Sequence, residues 1–117
     1  MKHRTRAASI CRRILELERR LFALDTNGCR RGHADVLFRK LVILMLLLTR
    51  EVSQGAATPE QVCVLRLARW YVLAEIREAQ ACSCEICIKL FDWIAVTLQR
   101  SKVPDLQLAP SVLDEPK

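Results

Sequence analysis

Apolar side chains recur along this chain at the three- and four-residue spacing of helices, and no segment reads as a strand. Ile10, Ile14, Leu17, Leu21 and Leu24 follow one another at four, three, four and three residues, an a/d seam that predicts a helix over about 4–25. With Ile14 and Leu21 at position a, Arg6, Arg13 and Arg20 fall at g, and Glu18 and Asp25 at e. A parallel pair of such helices sets Arg13 against Glu18 and Arg20 against Asp25. The seam spans little more than two heptads, and Leu15 and Phe22 widen its apolar face, which suits a bundle helix better than a free-standing zipper.

Asn27-Gly28 ends this helix, because both residues tolerate positive φ. A second helix is expected over 34–54. Between Val36 and Leu48 its only charges are Arg39 and Lys40, so most of its circumference is apolar and calls for neighbours on every side. A four-helix chain barely supplies them, which points to self-association or to a groove that receives a partner helix. The residues expected to carry self-association are Ile14, Leu17, Leu21, Leu44 and Leu47.

Gly55 stops the second helix, and Thr58-Pro59-Glu60-Gln61 marks the next start with an N-cap hydroxyl, a proline at N1 and a glutamine at N3. The third helix is expected over 59–80. Val62, Leu65, Ala68, Val72, Ile76 and Ala79 form its stripe, with Cys63, Leu67, Trp70 and Ala74 alongside, and Trp70 and Trp93 read as core. No Gly or Pro occurs between Pro59 and Pro104. Residues 81–84 are therefore either a break with Ser83 as N-cap or the middle of one long helix. With the break, a fourth helix over 84–100 presents Cys84, Cys87, Phe91, Ile94 and Leu98. The expected architecture is all-α: one helical domain over 1–101, of four helices or three with one long, and a flexible proline-containing tail over 102–117. Leu106, Leu108, Val112 and Leu113 of that tail are candidate contact residues for a partner.

Composition narrows the class. At 117 residues the chain holds one core, and 51% hydrophobic against 27% charged side chains is a globular balance. Aromatic residues make up only 5%, thin for a base-stacking surface. The net charge of +6 is lopsided: residues 1–40 carry eleven basic and four acidic side chains, the remainder eight and nine. Arg6, Arg12, Arg13, Arg19, Arg20, Arg30 and Arg31 are the candidate contacts to phosphate or another anion, and nucleic-acid binding through them is the alternative function. No recognition helix with base-reading side chains accompanies them. The longest uncharged apolar run, Leu41–Thr49, is too short to cross a bilayer, and charges interrupt any signal-peptide core.

Six cysteines without a secretory signal read as reduced thiols in an intracellular compartment, cytoplasm or nucleus. Cys82, Cys84 and Cys87 form the densest group. With Cys29 or His33 from the earlier loop they make a candidate zinc set, although no second Cys-x-x-Cys knuckle exists. The leading expectation is no cofactor, with these cysteines as small apolar residues. Neither Cys84-x-x-Cys87 as a redox pair nor Cys29 with His33 as a nucleophilic couple has the surrounding pattern such chemistry uses, and no glycine-rich phosphate loop is present. The chain therefore reads as a small non-enzymatic interaction or regulatory protein working through helix contacts with itself or a partner. A zinc-stabilised adaptor is the remaining alternative.

Overall fold

The computed structural model describes residues 2–24, 33–82 and 84–101, with side chains from Arg6 in the first stretch and from Ala34 in the second. Among the described residues there are four helices and no strand: α1 (Lys2–Ala23), α2 (His33–Ser53), α3 (Pro59–Ala81) and α4 (Glu85–Ser101). Helix identity and order follow the apolar periodicity, and the arrangement with one long C-terminal helix is excluded by the break after Ala81. The expected tail over 102–117 and the loop around Gly28 lie outside the described residues. No described helix is long and apolar enough to cross a membrane.

The connections are built from local chemistry. Gly55, at φ 74°, takes the left-handed position after α2. Its N–H donates to the Val52 carbonyl at 3.0 Å and the Ala56 N–H to the Glu51 carbonyl at 2.9 Å, closing the paired turn that caps a helix C-terminus. The expected capping box opens α3: the Gln61 N–H donates to Thr58 Oγ1 at 3.2 Å, and the Thr58 N–H donates to Gln61 Oε1 at 2.9 Å.

The break before α4 needs neither Gly nor Pro. Cys82 turns extended at φ −91°, ψ 136°, while its N–H still donates to the Glu78 and Ala79 carbonyls. Cys84, one residue beyond the expected Ser83, then caps α4: its carbonyl accepts the Ile88 N–H at 3.0 Å and its sulfur accepts the Cys87 N–H at 3.4 Å. Ser83 itself lies outside the described residues.

One core fills the space between the helices, and α1 against α2 is its most extensive contact. The α1 seam turns inward at Ile10, Ile14, Leu17 and Leu21, each at most 7% exposed, but not at Leu24, which lies past the helix end and is 39% exposed. Within α2, Phe38, Leu41, Met45 and Leu48 are at most 2% exposed, each contributing about 1.5–3 kcal/mol by leaving water. From α3 come Leu65, Ala68, Val72, Ile76 and Ala79, and from α4 Cys87, Leu90, Ile94 and Leu98.

These placements correct one expectation. Three neighbouring helices pack on α2 and cover most of its circumference, leaving Val36 and Ile43 50% and 46% exposed. Ile14, Leu17, Leu21 and Leu44 are interior to a single chain, and Leu47 packs half-buried against the same core. Outside the core, Leu15 and Phe22 are 51% and 68% exposed and do not extend the α1 seam inward.

Candidate functional site

The largest departure from expectation is on α3. Trp70, read as core, is 77% exposed, and Leu67 is 65% exposed. Cys63 and Ala74 are exposed with them. At 3.6 residues per turn, Cys63, Leu67, Trp70 and Ala74 make a straight stripe whose centre lies about 180° around the helix from the buried stripe. Helix α3 thus carries two apolar faces. One is covered by the bundle and one faces solvent.

Glu60 and Arg77, both exposed, stand one step beyond the two ends of the outer stripe at the same three- and four-residue spacing. On one flank Tyr71 is half-buried, with the Phe22 ring edge-on to it at 5.2 Å and Phe38 at 6.3 Å. Phe22 continues the apolar surface on that side, towards the end of α1.

Four of the expected anion contacts do converge. Arg12, Arg13, Arg19 and Arg20, with Lys40 of α2, line a shallow groove of about 650 Å³. Glu16 lies among them and pairs with Arg19, raising the Arg19 pKa above its ordinary value by hydrogen bond and charge. Arg6 does not belong to the groove. Its Nε sits 3.4 Å from Glu51 Oε2, and the Glu51 side chain is 5% exposed, so Arg6 neutralises a carboxylate let into the core. Arg30 and Arg31 lie outside the described residues.

Arg39 is also committed within the fold. Its Nε donates to both Asp35 carboxylate oxygens at 3.2 Å, and its guanidinium lies 5.1 Å from the centre of the Trp93 ring. The Trp93 ring, half-buried against the core, is thereby clamped between α2 and α4.

At the α3–α4 junction the sulfurs of Cys82, Cys84 and Cys87 all lie within 4.8 Å of one another. Cys87 is fully buried and the other two are half-buried. No disulfide joins the described cysteines. Cys29 and the His33 side chain, the other members of the expected set, lie outside the described residues. Cys11 is a core thiol, and burial raises its pKa above the ordinary value; Cys63, expected to pack on a helix face, is exposed instead.

Sequence periodicity found the inward stripe of α3 but set Cys63, Leu67, Trp70 and Ala74 alongside it, whereas they lie on the opposite, exposed face. Glu51 was missed, although Leu37, Leu41, Leu44, Leu48 and Glu51 share one inward spacing and so mark it as the charged member of a core stripe. No family model, curated protein or solved structure matches this chain.

Proposed function

We propose that this is a small non-enzymatic interaction protein whose working surface is the outer face of α3, and that this face pairs with a second copy of itself. The observation that carries the reading is the exposure of Leu67 and Trp70 at 65% and 77% on an unbroken helical stripe. Scattered exposed apolar residues need no explanation, but a continuous stripe centred on an exposed tryptophan has the composition of an interface centre.

Charge selects the orientation. Two α3 helices packed parallel and in register would set Glu60 on Glu60 and Arg77 on Arg77. Packed antiparallel about a two-fold axis, Leu67 meets Trp70, small Cys63 meets small Ala74, and Glu60 meets Arg77 at both ends. The antiparallel register thus closes both apolar layers and both charge layers with the same set of residues.

The stripe offers on the order of 300 Å² of apolar surface per chain, so pairing two copies hides about 600 Å² and releases about 15 kcal/mol. Association opposes that with roughly 4–15 kcal/mol of lost freedom. A reversible dimer in the micromolar range is the expected balance.

The register supplies its own test. In the variant Ala74→Cys, Cys63 of one chain should form a disulfide with residue 74 of the other under mild oxidation, identified by mass spectrometry of the linked peptides. Within one helix these positions are about 16 Å apart along the axis, beyond the reach of a disulfide. A protein that stays monomeric and yields no such crosslink at high micromolar concentration refutes self-pairing. It would leave the stripe to another occupant, the chain's own segment 102–117 among them.

The convergence of Arg12, Arg13, Arg19, Arg20 and Lys40 on one groove supports a second reading, an anionic partner such as nucleic acid. Binding there should weaken with salt by nearly one unit of slope per phosphate contact, and equally for unrelated sequences. Absence of any shift with DNA or RNA at low salt would remove it.

A further inference from the structure

We infer that Cys82, Cys84 and Cys87 bind one zinc ion as three thiolates, with a fourth, exchangeable position open towards solvent. Zinc bound in this way ties the end of α3 to the start of α4. The inference does not rest on the pairing of α3, whose outer stripe lies elsewhere on the helix.

Three sulfurs no more than 4.8 Å apart leave a point within about 2.8 Å of all of them. Tetrahedral zinc with thiolate bonds of about 2.3 Å sets its sulfurs about 3.8 Å apart, so each sulfur needs to move inward by about 0.6 Å, with the ion just out of their plane. Such a shift lies within the reach of side-chain rotation at Cys82 and Cys84, which are half-buried between the end of α3 and the start of α4.

Backbone geometry explains why the three meet. Cys82 ends α3 in an extended conformation and directs the chain across to the α4 start. Cys84 occupies the cap, with its sulfur held over the first turn by the Cys87 N–H at 3.4 Å. Cys87 lies three residues on, on the same side of the helix. Three thiolates and Zn²⁺ carry one net negative charge, which the positive end of α4 favours. Soft, all-sulfur donors select a thiophilic d¹⁰ ion over magnesium or calcium. Each thiol releases its proton on binding, so up to three protons appear per ion bound.

Purified, reduced full chain is titrated with Co²⁺ and then Zn²⁺. The expected result is about one cobalt per chain with a thiolate-to-cobalt charge-transfer band and tetrahedral ligand-field bands, both abolished as zinc displaces the cobalt. Cys84→Ser is the decisive variant. Serine is a good N-cap, so α4 keeps its start while the site loses a sulfur. Its metal affinity should fall by more than the roughly 10–100-fold that loss of a merely orienting partner brings. Cys63→Ser should bind as the parent does. A parent protein without the charge-transfer band overturns the inference. So does Cys84→Ser binding at parental affinity, or Cys63→Ser losing as much as Cys84→Ser.

Discussion

Replacing Trp70 by Glu distinguishes a residue that joins two chains from one that holds a single chain folded. Trp70 is 77% exposed in the folded chain, so the substitution leaves the core intact and unfolding should change by no more than about 0.5 kcal/mol. In the antiparallel pair each indole gives up on the order of 100 Å² of the roughly 150–250 Å² an aromatic side chain can bury. Two indoles at about 25 cal/mol per Å² amount to ~5 kcal/mol. The dimer dissociation constant should therefore rise by roughly three to four powers of ten, taking the variant to monomer across the micromolar range. Sedimentation equilibrium over a concentration series, with thermal melts on the same samples, reads both quantities. Ile76→Ala supplies the contrast: Ile76 is fully buried, and the change should lower stability by about 2–5 kcal/mol. The reasoning fails if Trp70→Glu lowers the melting temperature as far as Ile76→Ala does, or if it leaves association unchanged.

Charge reversal tests the register independently. Glu60→Arg or Arg77→Glu alone should weaken the dimer about tenfold, and the double reversal should restore it in a double-mutant cycle measured by sedimentation. Among the arginines of α1, Arg6→Met should destabilise the fold by about 3 kcal/mol or more because it leaves a buried carboxylate without its cation, whereas Arg12→Met should stay within about 0.5 kcal/mol, both by chemical denaturation. Burial raises the Glu18 pKa above its ordinary value of 4.5, so the folded state holds that proton more tightly than the unfolded chain. Its contribution to stability is fully present below 4.5 and is lost as pH rises through the folded value. Glu18→Gln should therefore raise the melting temperature by about a degree or two at neutral pH, and by nothing once the pH is below the ordinary glutamate value; an equal gain at both would contradict the sign.

Local signals carried much of the fold. The Thr58–Gln61 box and Gly55 bracket the α2–α3 turn, and the inward stripes of α1 and α3 match the spacing read from their residues. What the chain did not reveal is set by tertiary arrangement. Trp70 and Val72 are both large, apolar and two residues apart, and only the docking of neighbouring helices decides that one is 77% exposed and the other 1%. The Arg39–Trp93 contact joins residues far apart in sequence, so no local pattern could announce it. The α4 cap fell to Cys84 because the extended step at Cys82 sets the new helix one residue later, a position where a sulfur has to do what a hydroxyl does better. In the thiol cluster the residues were legible from their spacing. The i, i+3 spacing of Cys84 and Cys87 on a first helical turn, with Cys82 just before it, also allows them to meet, and the bend of the junction sets how closely.

The pair between Arg6 and Glu51 has a topological consequence. Arg6 stands near the beginning of α1 and Glu51 near the end of α2, so the cation reaches the carboxylate only when the two helices run in opposite directions. An apolar seam of evenly spaced leucines and isoleucines is nearly indifferent to direction or to a slip of one turn. The carboxylate is not: docked parallel, or displaced along the seam, it would be carried into the interior without its cation, at a penalty of several kcal/mol. One acidic side chain on an otherwise oily face thus acts as a key, admitting a single way of laying the first helix against the second.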